Sequence, residues 1–311
     1  MMKRLLVVMV ITLLLLALLA RPAAAHPGDG PDGHLWADWS FEPLVLSGIA
    51  LTGVWVERGW RALARRKGAS DPARWRRRAF WAGQAFLLLA LVSPLDALAG
   101  QLFSAHMVQH TLLMLVAAPL IVLGTPSPVL LLGLPRRAQK VLGRAWGNLH
   151  GLDALARSSS LPLLAWLFLA AALWGWHAPR LYVNAVENEN IHALQHASFL
   201  LSALLFWWVT LRTLVAHPDR RGAAVLYLFT TTLHSGLLGA LLTFSPFLWY
   251  PVYAGRTEAW GISALADQQL AGLIMWIPAG VIFLAAALAI LKPWIVSVRS
   301  AEGTAPEKEL R

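Results

Sequence analysis

The sequence contains no cysteine. Disulfides are excluded in any compartment, and so is every metal site built on thiolates. Charge is scarce too: 14% of the 311 residues are charged, 58% are hydrophobic, and the mean hydropathy is +0.58. A soluble domain needs more polar surface than this, so the class is an all-α integral membrane protein. No long-period repeat or low-complexity domain interrupts it. The formal net charge of +10 raises nucleic acid as a partner. In a membrane protein, however, the first question is which side the charges face.

What is present is a series of apolar stretches. The opening "MMKRLLVVMVITLLLLALLARPAAAHPGDG" has a basic head (Lys3, Arg4), an apolar run over 5–20 and a small-residue cleavage site at Ala23-Ala24-Ala25, the pattern of a secretory signal. Residues 1–25 are therefore expected to be a signal peptide and 26–41 an external segment. A seven-helix membrane domain is expected over 42–292, and 293–311 form a cytoplasmic tail whose polar end "AEGTAPEKELR" reads as disordered. Seven stretches approach the roughly 20 residues that cross a bilayer: 42–59, 79–98, 104–125, 160–178, 191–212, 222–244 and 268–291. The segment "PSPVLLLGLP", 126–135, is too short to span and its prolines break helix, so it is expected to cap the third span at the interface.

The loops alternate in charge. Arg58, Arg61, Arg65, Arg66, Lys67, Arg74, Arg76, Arg77 and Arg78 follow the first span, and Arg136, Arg137, Lys140, Arg144 and Arg157 the third. Arg212, Arg220 and Arg221 follow the fifth, and Lys292, Arg299, Lys308 and Arg311 the seventh. The opposite loops hold Arg180 and Arg256 alone. Positively charged loops stay inside, which sets the N-terminus outside and the C-terminus in the cytoplasm, as the signal peptide does independently. The basic loops are topology signals resting against anionic lipid headgroups, and a nucleic-acid role is left without support.

Histidine gathers at the outer side. "AHMVQHTLLM" places His106 and His110 four apart at the outer end of the third span, and "NIHALQHASF" repeats the spacing with His192 and His196 at the start of the fifth. His177 closes the fourth span in "WGWHAPR", His234 lies deeper in the sixth, and His26 and His34 are external. Only His150 and His217 fall on the cytoplasmic side. An i, i+4 pair shares one helical face, and two such pairs from neighbouring helices can converge on one ion. By the same arithmetic Met114 continues the His106–His110 face, and Asp267 and Met275 stand on the outer part of the seventh span. Histidine and methionine without cysteine suit copper, Cu(I) especially. A single span histidine is often a helix–helix hydrogen-bonding group, and Met114 and Met275 are ordinary core filler elsewhere. Two pairs at one depth are harder to dismiss, because intramembrane polar groups are costly. The 16 tryptophans read mostly as an aromatic belt.

These residues carry a resemblance. "SPLDALAGQLFSAHMVQHTLLMLVAAPLIVLGTP", "WGWHAPRLYVNAVENENIHALQHASFLLSALLFWW" and "DQQLAGLIMW" resemble the multi-spanning CtaG family of cytochrome c oxidase assembly proteins, over about residues 40–292. This family is distinct from the single-span copper chaperone that shares the name in some bacteria. The resemblance implies a seven-span protein of the bacterial plasma membrane, needed to make an active haem–copper oxidase through copper delivery to its copper-bearing subunit. By position it assigns His106, His110, His177, His192, His196, His234 and Asp267 to the family's polar sites.

The expected function is thus a non-enzymatic assembly factor, a metallochaperone holding copper near the outer face. The ligands are His106, His110, His192 and His196, with His177 and His234 as further metal residues. Asp267 is a ligand or a carboxylate orienting a ligating imidazole, and Met114 and Met275 are additional candidates. A membrane b-type cytochrome would use two of these histidines as axial haem ligands, but two pairs at one depth exceed what one haem needs. A metal transporter requires a polar path, and the inner halves of the spans offer few ionisable groups. A retinal photoreceptor needs a mid-membrane lysine, whereas Lys292 lies at the inner end. The charge pattern makes a topology prediction: periplasm-active reporters fused near Glu187 or Thr257 will be active, and fusions near Gly68 or Asp219 silent. An inverted result at either pair would break the span assignment.

Overall fold

The computed structural model describes residues 38–67, 74–147, 161–215 and 220–302. The expected signal peptide, most of the external segment, His26, His34, His150, His217 and residues 303–311 lie outside the described residues. Among those described, all regular structure is helical, as a bilayer requires of any single-segment span: every backbone group must be satisfied within its own helix.

In chain order the helices are α1 (Pro43–Lys67), α2 (Arg74–Leu91), α3 (Pro94–Ala99), α4 (Phe103–Gly124), α5 (Ser127–Gly133) and α6 (Arg136–Gly147). They are followed by α7 (Leu161–Trp176), α8 (Pro179–Glu187), α9 (Glu189–Arg212), α10 (Arg221–Phe244) and α11 (Ala264–Glu302). Four of them, α4, α9, α10 and the Ala264–Lys292 part of α11, are long and apolar enough to cross a membrane, and α7 with α8 makes a fifth if that bent pair is one span. The outward faces are apolar at helical spacing. Phe229, Leu233 and Leu237 on α10 and Ile277, Val281, Leu284 and Leu288 on α11 are all more than half exposed, a surface tolerable only against lipid. The chain is a helical membrane protein.

Several boundaries depart from the sequence expectation for local reasons. The stretch 79–98 is two helices, because Ser93 caps α3 through its hydroxyl on the Leu95 N–H and Pro94 cannot continue α2. The stretch 160–178 ends at Trp176, and the chain turns by 75° into α8, with Pro179 in the first turn of the new helix. α1 extends past its expected end at 59 into the arginines, where Glu57 pairs with Arg61 and with Arg77 of α2. α11 stays helical to Glu302, past the expected end of the span at 291 and into the segment assigned to the tail. The segment 126–135 does form a short helix, α5, since Pro128 occupies the first turn, where its missing N–H costs nothing. It packs on α1: the Trp55 indole donates to the Leu130 carbonyl at 2.8 Å, and Gly59 lies so near the Val129 carbonyl that no side chain fits between.

The bundle is assembled around α9, the most buried of the four long apolar helices, while α11 is the least buried of them and sits at the edge. α10 and α11 approach through Gly239 and Gly272: a Cβ added at Gly272 would stand 2.6 Å from the Gly239 carbonyl oxygen and against the Thr243 hydroxyl. Small residues that let backbones touch are the usual means of joining helices in lipid, where no hydrophobic drive exists between them. Gly272→Leu is expected to destabilise the domain by about 1–3 kcal/mol through overpacking, read as a lowered thermal midpoint in detergent. An unchanged midpoint would show that this contact does not hold the pair together.

Candidate metal centre

α4 and α9 run side by side in the same direction, since His106 faces His192 and His110 faces His196 near their starts, while Arg212 donates to the Val122 carbonyl near their ends. Each helix presents its two histidines on one face, one turn apart. The result is a block of four touching imidazoles. Ring centroids lie 4.3 Å apart for His106–His110, 4.2 Å for His192–His196, 5.1 Å for His106–His192 and 5.2 Å for His110–His196. One nitrogen each from His106, His110 and His196 lies within 4.8 Å of the other two.

Several ring nitrogens of the block lack protein partners. His106 Nε2, both ring nitrogens of His110, His192 Nε2 and His196 Nε2 are buried without a hydrogen bond. Orphaned polar atoms away from water cost stability, so their convergence fits a group that supplies the missing contacts. A soft or borderline cation does so. Three imidazoles bound at about 2.0–2.1 Å bring their nitrogens to roughly 3.5 Å of one another, a modest contraction that ring rotation can supply. The donor set, imidazole with no carboxylate or thiolate among the touching rings, matches copper or zinc rather than magnesium or calcium.

The surrounding shell holds α4 in place. Asp267, fully buried at the start of α11, accepts the Phe103 N–H at 2.6 Å and the Ser104 N–H at 3.2 Å. Both oxygens thus sit on the open N–H groups at the N-terminus of the helix that carries His106 and His110. Asp267 positions that helix and is engaged by backbone, so the expectation of a metal ligand or an imidazole-orienting carboxylate gives way to a helix cap. The next two residues serve the loop before α11. Gln268 accepts the Trp249 N–H and donates to the Phe247 carbonyl, and Gln269 donates to the Ser245 carbonyl.

Three tyrosines close the same end. Tyr182 and Tyr253 share a hydroxyl–hydroxyl bond of 2.9 Å, and Tyr250 donates to the His177 carbonyl at 2.7 Å. Burial pushes the Tyr250 and Tyr253 hydroxyls well above their ordinary pKa, so both remain protonated donors. The Tyr182 ring lies 5.3 Å from His106. Sequence reasoning overlooked this cluster, although three of the protein's four tyrosines form it. It also overlooked Gln109, which donates to Asp96 at 2.6 Å and to the Ala90 carbonyl at 2.7 Å; its position inside "HMVQH" was the available signal. Asp96 and Glu42 stand with His192 and His196 in the wall of a cavity of ≈ 210 Å³ between α1, α2 and α9.

The remaining expected residues divide. His177 sits in the bend after α7, beside the block and not in it. Its Nδ1 donates to the Leu173 carbonyl at 2.7 Å and its Nε2 lies 3.5 Å from the Met107 sulfur. His234 stacks edge-on with Trp166 at 4.9 Å and shares with His110 the wall of a second cavity. Met114 lies in a π-helical segment of α4, Leu112–Ala117, and lines the same cavity together with His110. The Trp207 indole donates to the Met114 carbonyl at 3.0 Å. Met114 and Met275 both line a second cavity on the inner side of His110.

Known proteins place this architecture. Residues 57–297 match the model of the cytochrome c oxidase caa3 assembly factor family. Two curated relatives, the uncharacterized proteins Mb0105 of Mycobacterium bovis and MT0111 of Mycobacterium tuberculosis, are each 28% identical over 249 residues, covering 76% of this chain and 36% of theirs. The chain thus spans about a third of the length of those relatives. No solved structure matches it. The matched region takes in the four-imidazole block, its Asp267 cap and the tyrosine closure, and the chain belongs to the caa3 cytochrome c oxidase assembly factor family.

Proposed function

We propose that the protein is a non-enzymatic assembly factor that binds Cu(I) at its outer end and helps insert it into the copper-bearing subunit of a haem–copper oxidase. The observation that carries this is the convergence of His106, His110 and His196 within 4.8 Å, each with a buried ring nitrogen that has no partner. His192 touches this trio from the outer turn of α9 and serves as the fourth ligand or the first to meet the ion. Copper is the cargo, and with no cysteine the only soft or borderline donors are imidazole and thioether. The cavity beside His192, with Glu42 and Asp96 at its polar side, supplies an approach that attracts a cation.

A haem reading has less support. An axial pair must stand on opposite faces of a porphyrin, whereas these imidazoles lie against one another at 4.2–5.9 Å. A transporter reading would need a chain of polar groups onward through the bundle, and the core below the histidines is built from residues such as Leu113, Ala117, Leu204 and Phe206.

In this proposal the setting is a bacterial plasma membrane, with α1, α2 and the α7–α8 unit completing seven spans behind a cleaved signal peptide. The N-terminus lies outside, and the basic ends lie in the cytoplasm against anionic headgroups. A buried copper site in a membrane client is hard to reach from water, because polar ligands exposed to hydrocarbon are costly. A donor whose ligands already lie one or two turns below the interface meets that difficulty.

Two measurements test the proposal. His110→Ala with His196→Ala should abolish stoichiometric Cu(I) binding by purified protein that still inserts; full retention of copper would overturn the ligand set. Oxidase purified from cells lacking the protein should contain its haem but not its buried copper. A full copper complement there would leave a scaffolding role and remove copper delivery.

A further inference from the structure

Three of the six methionines are Met1, Met2 and Met9. The others, Met107, Met114 and Met275, come from two helices far apart in sequence, yet all three line one cavity of ≈ 60 Å³. The same cavity is lined by His110, His177 and His234. Chance core filling does not gather every methionine of the described domain and half of its described histidines at one small void. The volume accommodates a single ion or about two waters.

The donor atoms are available. His234 has no hydrogen bond at either ring nitrogen, and neither has His110. His177 is oriented: its Nδ1 faces the Leu173 carbonyl, which can only accept, so in the neutral ring Nε2 carries the lone pair, and that atom faces the Met107 sulfur at 3.5 Å. Thioether and imidazole together, without carboxylate or thiolate, select Cu(I) over zinc and over the hard cations. The π-helical segment of α4 carries Met114, which lines this cavity beside His110.

We infer that this cavity is a second, sulfur-rich Cu(I) site, formed by Met107, Met114, Met275 and His234 with His177 at its edge, and joined to the outer imidazole block through His110. It deepens the proposed copper function and rests on that reading for the identity of the metal. His110 belongs to both walls, so an ion can pass from nitrogen ligands outside to sulfur ligands inside by exchanging neighbours around one imidazole, with no change of oxidation state. The outer block suits capture, and the inner site shields Cu(I) from water.

The test uses the full purified chain in detergent, titrated with Cu(I) alone under a competing chelator and followed by X-ray absorption at the copper edge. Wild type should take up a first copper with nitrogen neighbours and a second that adds a sulfur shell. Met107→Leu with Met275→Leu, a volume-conserving change, should lose the sulfur shell and one of the two coppers. His106→Ala with His196→Ala should keep a copper that has sulfur neighbours. A wild type that binds one copper with nitrogen neighbours only overturns the inner site and leaves the outer one standing, whereas no copper at all overturns both. Should the methionine variant fail to fold, the sulfur shell in wild type decides alone: its presence supports the site and its absence overturns it.

Discussion

The carboxylate of Asp267 lies on the Phe103 and Ser104 N–H groups, and most of the outer end depends on that contact. A helix starting inside a membrane protein leaves its first N–H groups without partners, and neither lipid nor water is there to supply them. A buried carboxylate satisfies two of them at once and is itself stabilised by the positive end of the helix dipole. The contact locks α11 to α4 start to start, and that sets the depth of His106 and His110. Asn188 performs the corresponding task for α9, accepting the Asn190 and Ile191 N–H groups one turn before His192. Both histidine pairs thus hang from capped helix starts at one level.

Above them the closure is made of aromatic and amide groups. Tyr182, Tyr250 and Tyr253 pack around Phe103, and Arg256 donates to the Gly100 carbonyl. Their hydrogen bonds go to each other and to backbone, and none is recorded to an imidazole. Gln195 and the Oε1 of Gln109 are also left without a partner, so the bare atoms of the outer end include the imidazole nitrogens together with these two amides.

Below His110 α4 widens into its π-helical segment. The outer turns pack on α11 and set their histidines against those of α9, and the inner turns pack on α2 and α9. Relaxing the i→i+4 ladder exposes the Met114 carbonyl, and the Trp207 indole of α9 fills it. The distortion is thereby anchored by a specific donor from the neighbouring helix.

The sequence by itself determined the helical membrane class, since composition alone demands internally satisfied backbone. It also determined the pairing of His106 with His110 and of His192 with His196, because i, i+4 spacing on a helix needs no tertiary information. The positions of α4, α9, α10 and α11 were legible for the same reason, as continuous apolar stretches. What only the tertiary structure decided was which faces meet. Nothing local shows that α4 and α9 run parallel in contact, that "DQQ" binds a helix start and a loop, or that three methionines converge on one cavity beside His110. The π-helical segment of α4 leaves no mark in the apolar periodicity, and Ser93-Pro94 and Pro179 broke stretches whose hydropathy ran on unbroken. Hydropathy reports the solvent that a segment prefers, which each residue carries with it; ligand geometry depends on the rotation and depth of one helix against another, which packing alone can set.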